Sequence, residues 1–212
     1  MRLPPATYMI VVLGIQCWAE CDTQLSVLKI AIHDYTGVRP SVLERSKREA
    51  TRILGDMGYG LTWVHCASDE DLCRQPATPT ILVLRVLPEN NRTREKDALG
   101  SAILPAAGFG SYFVVFYGRV KQMTKVESSE GVLLGHAIAH ELGHLLLGSN
   151  AHSRDGIMAG RWSPRELARI AKRSLTFSEE QRVRMRKNVS GRLLAVGSET
   201  CTTRRTDQLA RR

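Results

Sequence analysis

The stretch from Gly131 to Met158 constrains this chain more than any other. Val132, Leu133, Leu134, Ala137, Ile138, Ala139, Leu142, Leu145, Leu146 and Leu147 make its first part apolar on nearly every face of a helix, the pattern of a helix buried at the centre of a fold. The strongly polar side chains in that part are His136, His140, Glu141 and His144. Burying such groups without partners is costly, so the segment needs something to satisfy them. Residues four apart share a helix face, and His140 and His144 can offer two imidazole nitrogens to one metal ion. Glu141 sits about 100° round the helix, off the ligand line and suited to take a proton from a water that the metal activates. The arrangement is the H-E-x-x-H pattern of zinc hydrolases, set against the plainer reading of a helix with ordinary satisfied histidines. His136 lies one turn earlier, too far along the helix to share the ion, and reads as a structural or supporting group.

The residues after the helix extend the site. Gly148 can take the left-handed conformation that ends a helix, and Ser149, Asn150 and Ala151 then lead to His152, a third candidate ligand. Gly156, Ile157 and Met158 place a methionine in a tight turn that could lie beneath the metal. These residues resemble the metzincin zinc endopeptidases, whose pattern is H-E-x-x-H-x-x-G-x-x-H with a methionine-containing turn after it. The resemblance implies one zinc ion held by His140, His144 and His152, Glu141 as general base, Met158 as the turn methionine, and a peptide or protein as substrate. Gly148 and His152 stand four and eight residues after His144, two more in all than the family's spacing, and Gly160 occupies the place where some members carry a tyrosine.

The rest of the chain reads as an α/β fold. Leu25 to His33, Tyr59 to His65 and Thr80 to Leu87 are strand candidates, and the unbroken apolar run of the third suits the centre of a sheet covered on both faces. Pro40 opens a helix in which Ser41 and Glu44 have capping-box spacing and the apolar face runs to Met57 and Gly58. Asn90 to Asp97 is a charged loop. Ser101 to Leu104 and Tyr112 to Tyr117 form either an ordinary hairpin or, as the resemblance implies, a cleft rim over Ala102, Ile103, Leu104, Gly108 and Gly110 that pairs with an extended substrate. Ser163-Pro164 and Ser178-Glu179 open two further helices. The implied architecture is a mixed twisted sheet with a central active-site helix and a small helical C-terminal part.

Residues 1–19 read as a signal segment, with Arg2 before an apolar run and cleavage after Ala19, which makes the protein secreted or otherwise extracytoplasmic. The run is short for a membrane span, so none is expected after its removal. Residues 20–201 then form one domain and 202–212 a frayed basic tail. Cys21, Cys66, Cys73 and Cys201 are an even set; a Cys66–Cys73 link is preferred among three pairings, with Cys21 and Cys201 left to join the ends.

The formal net charge is +9, much of it from Arg165, Arg169, Lys172, Arg173, Arg182, Arg184, Arg186 and Lys187. Without interleaved aromatic residues these read as solvated helix faces, and no specific nucleic acid partner is expected. A monomer is expected. Asn91 and Asn188 match glycosylation acceptors, while His33 and His65 read as ordinary strand residues.

Two rival functions stay open. In a gluzincin, the other H-E-x-x-H clan, a glutamate from a later helix replaces the third histidine, and Glu166 is placed for it. A secreted basic zinc-binding protein without catalysis would need no Glu141.

Overall fold

The computed structural model describes residues 27–55, 60–66, 71–89, 98–124 and 127–209, with side chains of residues 71, 127–128 and 197–209 left aside. The signal segment, Cys21, the cysteine side chain at 201, Met57, Asn91 and the end of the tail lie outside what is described.

Five strands form one sheet in the order β2-β1-β3-β5-β4. Strands β1 (Val27–Asp34), β2 (Gly60–His65), β3 (Ile81–Leu87) and β5 (Tyr112–Phe116) pair in parallel, and β4 (Gly100–Ile103) runs antiparallel to β5 along one edge. The mixed α/β class expected from sequence is the class observed. Strand β3 is central, as its apolar run requires: Leu82, Val83, Leu84 and Val86 are buried.

Helix α1 (Pro40–Leu54) links β1 to β2, and its start differs from the expected one. Arg39 holds the cap position without a side-chain cap, so Ser41 lies inside the first turn and Glu44 pairs with Lys47. Proline fixes φ and needs no amide partner at the first helical position, which lets Pro40 begin the helix unaided. Two short helices had no clear sequence signal, α2 (Asp71–Arg74) and α3 (Tyr117–Met123). Both are too short for helical periodicity to register. Between β2 and α2, Cys66 and Cys73 form a disulfide.

Helix α4 (Glu127–Leu147) contacts α1, β4, β5, α3, α5 and α6, so apolar residues are needed all round it. It lies close against α1 because two of its residues have no side chain. A Cβ at Gly131 would come within 2.8 Å of the Arg45 Cβ, and one at Gly135 within 2.6 Å of the Glu49 Cβ. Beyond α4, helix α5 (Pro164–Ala171) starts with a reciprocal Ser163–Glu166 capping box, and α6 (Glu179–Leu209) with hydrogen bonds exchanged between Ser178 and Gln181. Helix α6 runs on to Leu209, through most of the segment expected to fray.

Arg192 of α6 is fully buried, donates to the carbonyls of Pro79 and Leu145 at 3.0 and 2.6 Å, and stacks over Phe109 at 4.9 Å, fastening α6 to the end of α4. The Asn188 side chain donates to the Leu146 carbonyl at 3.0 Å, a packing role that occupies the amide expected to accept glycan. Among the described residues no helix is long and apolar enough to cross a membrane.

Candidate metal centre

The site is assembled from α4 and from the segment that returns beneath it. His140, Glu141 and His144 are buried on α4, and Gly148, at φ 62°, ends the helix and reverses the chain. His152, which is exposed, closes over the pair: its ring centroid lies 5.4 Å from that of His140 and 4.9 Å from that of His144. One ring nitrogen from each of the three falls within 4.8 Å of the others. The two extra residues of spacing therefore do not keep His152 away.

Hydrogen bonds fix how the α4 pair presents itself. Nδ1 of His140 lies 2.7 Å from the Ile157 carbonyl and Nδ1 of His144 lies 2.8 Å from the Ser149 carbonyl. A carbonyl only accepts, so each Nδ1 carries the proton and each Nε2 keeps a lone pair. Those two Nε2 atoms face each other at 3.1 Å. Burial pushes the His140 imidazole down to about 4, with His144 and His152 adding to the effect and the Ile157 carbonyl opposing it. Burial also lowers His144. Burial thus disfavours the charged form of both rings, and the two lone pairs turned toward each other suit a shared cation between them.

The donor set suits zinc. Two nitrogens at about 2.0–2.1 Å from a tetrahedral ion stand roughly 3.3 Å apart, close to the observed separation, and three histidines with an open fourth position are a catalytic zinc set. Carbonyl bonds to the outer nitrogen are the usual way such ligands are oriented.

Met158 packs under the helix. It is buried, and a Cβ on Gly143 would lie 2.5 Å from its sulfur and 2.8 Å from the Phe177 ring. Glycine at 143 is what lets the methionine turn approach α4. The turn is held by the Ser153 amide donating to the Met158 carbonyl at 2.9 Å and by Gly156 at φ 79°. Gly160 has a related role, since a Cβ there would come within 3.0 Å of the His152 ring. Any side chain at this position would press on the His152 ring and shift it by a few tenths of an ångström.

A cleft of about 500 Å³ opens over the three histidines and Glu141. One wall is Ala98 to Ala102, at and just before the edge strand, and others are Arg119, Gln122 and Met123 of α3 and Asn150 and Ala159 to Trp162 of the returning segment. Of the rim residues expected from sequence, Ala102 lines this cleft. Gly108 and Gly110 border a separate hollow with Arg184 and Asn188 of α6, and Ile103 and Leu104 lie beyond the wall. Glu141 meets β4 at its Gly100 end, and the chain beyond Ile103 leads away from that end to the hollow against α6.

Several contributors escaped sequence reasoning. Trp162 donates from Nε1 to the same Ile157 carbonyl at 3.1 Å and meets the His140 ring edge-on at 5.9 Å. Gly100 and Arg119 are single residues in unremarkable segments, and no spacing rule marks them. His136 is directed elsewhere: its Nδ1 meets the Val132 carbonyl at 2.9 Å, and burial lowers its pKa. Glu166 is occupied in the Ser163 cap, whose hydroxyl and backbone N–H hold its carboxyl below the usual range, and it is not among the converging donors.

No protein-family model matches the chain, and no curated protein matches its sequence. Its fold is similar to those of solved structures that include the following two. One is a zinc-dependent peptidase from Methanocorpusculum labreanum, at 16% identity and a TM-score of 0.54, with 74% of this chain and 99% of that one covered. The other is an archaemetzincin from Methanopyrus kandleri, at 18% identity and a TM-score of 0.52, with 78% of this chain and 97% of that one covered.

Proposed function

We propose that this chain is a zinc-dependent metallopeptidase of the metzincin type, exported from the cytoplasm and acting on peptide or protein substrates. The observation that carries the reading is the convergence of ring nitrogens from His140, His144 and His152 to within 4.8 Å at the floor of an open cleft beside Glu141. The fold likeness to a zinc-dependent peptidase and an archaemetzincin supports it. Engagement of Glu166 in its helix cap supports His152, rather than that glutamate, as the third ligand. The Cys66–Cys73 disulfide supports an oxidising compartment and with it the signal segment read from the sequence.

His140, His144 and His152 would hold the ion. Bound there, zinc supplies Lewis acidity, which polarises a carbonyl and acidifies water. Glu141, buried at the cleft wall, accepts the proton of the attacking water and delivers it to the leaving amine. The outer edge of β4, unpaired among the described strands, offers backbone groups along which an extended substrate can pair, holding the scissile bond over the histidines. The Ile157 and Ser149 carbonyls keep the ligand rings in their tautomer through the cycle.

Glu141→Ala tests the reading. Zinc stoichiometry by metal analysis should stay near one per chain while peptide hydrolysis falls by a factor of about 10² or more, the usual contribution of a positioned base. Undiminished hydrolysis in that variant would overturn the assignment of the base.

A further inference from the structure

The charge of the cleft is a feature that the proposed chemistry does not use. Glu141 is the one acidic residue among the described residues lining it, whereas Arg119 and Arg161 contribute two guanidinium groups from different walls. Arg119 is half-buried and pairs with no carboxylate among the described residues. The contrast with other arginines is direct: Arg52 and Arg173 are both bonded to Glu49, and Arg39 to Glu130. A guanidinium drawn part-way out of water gains most from a planar anion that it can bind in two places.

The location says where that anion would come from. Gly100 of β4 pairs with Val115 of β5, and α3 begins directly after β5 ends, so Arg119 belongs to the Gly100 end of the edge strand. Glu141 reaches the strand at the same end, its Cγ 2.6 Å from where a Gly100 Cβ would be. A substrate laid along β4 with its scissile bond beside Glu141 has its neighbouring residues at about 3.3 Å per position, within the span of an arginine side chain.

We infer that Arg119 is a specificity-determining residue, selecting peptides that carry a carboxylate close to the scissile bond on the Gly100 side of the cleft. The inference rests on the peptidase reading and names the substrate class of that same site. The overall charge of +9 acts in the same direction at longer range, drawing acidic chains toward the molecule.

The test uses zinc-loaded full-length protein and paired peptides that differ by one Glu or Gln, placed in turn at the two positions on each side of the scissile bond. A further pair has a free or an amidated C-terminus. Binding of the same peptides to Glu141→Gln protein, monitored by fluorescence anisotropy, gives a second readout. At one position on one side, Glu should be preferred by about tenfold or more in kcat/KM and in Kd, the scale of one charge-assisted contact. The ratio should fall to about one in Arg119→Gln and turn toward a Lys-bearing peptide in Arg119→Glu. Selection of the free C-terminus, lost in the same variants, would identify the terminal carboxylate as the anion. Efficient cleavage without any charge preference, or a preference that survives in Arg119→Gln, overturns the inference and leaves the peptidase standing. If no peptide is either cleaved or bound, the peptidase reading fails and the inference fails with it.

Discussion

Gly100 and Glu141 are in contact across the cleft wall: a Cβ on the glycine would fall 2.6 Å from Cγ and 2.7 Å from Oε1 of the glutamate. The carboxylate proposed as base is therefore positioned by the edge strand as well as by its own helix. That same Cβ would also meet the Val114 carbonyl of β5 at 2.6 Å, so the strand cannot simply slide aside. Gly100→Ala should push Glu141 out of place while leaving the histidines intact. A displacement of about 1 Å at a reacting group costs on the order of 10²-fold in rate. Peptide turnover measured beside zinc content checks this, with turnover falling and zinc retained.

The third ligand can be tested by comparing two side chains. His152→Ala should weaken zinc binding by orders of magnitude, since it removes one of three protein donors. Glu166→Ala should keep zinc and lower the unfolding midpoint modestly, because it breaks half of the Ser163 capping box. Competitive metal titration of both variants, with thermal unfolding of the second, separates the outcomes. Retention of tight zinc by His152→Ala alongside loss in Glu166→Ala would move the assignment to the gluzincin clan.

Glu49 links helix α1 to the chain after α5, and its ionisation makes the fold acid-sensitive. Burial by itself would raise its carboxyl pKa, but hydrogen bonds from Arg52 and Arg173 outweigh that and hold it below the ordinary 4.5. A depressed folded-state pKa contributes stability that is present above the unfolded value and is lost as pH falls through the folded one. Glu49→Gln should cost about 1.5–3 kcal/mol near neutral pH, the range for a hydrogen bond to a charged group. The partly exposed arginines, at 34% and 51%, can rehydrate and keep the loss from growing larger. Urea unfolding at several pH values should show the wild type losing its advantage over Glu49→Gln below about pH 4.5.

The Cys66–Cys73 disulfide closes a loop of sequence separation 7. Short loops gain less from closure than long ones, and chain entropy for this loop gives about 2–3 kcal/mol. Peptide mapping without reductant should recover the linked pair from exported protein. Cys73→Ser should lower the unfolding midpoint while leaving zinc content unchanged, since none of the described residues of the loop lines the cleft.

The longer elements and the candidate ligand pair on α4 follow from contiguous residues alone. The 3.6-residue periodicity of α1, the apolar run of β3 and the Ser163 and Ser178 starts are properties of contiguous residues, and each appears close to where local chemistry puts it. His140 and His144 were legible for the same reason, because four residues on a helix set their spacing whatever surrounds them. Ser41 has the spacing of a cap and is not one, since proline at the first position makes a side-chain cap dispensable.

How the site closes depends on packing between elements. That His152 reaches the pair despite its longer spacing depends on Gly148 reversing the chain and on Gly160 leaving room for the ring. The wall at Ala98 to Ala102, the contact of Gly100 with Glu141, the carbonyl of Ile157 shared by His140 and Trp162, and Arg119 in the cleft all join segments far apart in sequence. Such approaches are set by the packing of α4 against β4 and β5, where a difference of one Cβ decides whether two backbones can meet. No periodicity or motif carries that information, because it belongs to the space between elements rather than to any one of them.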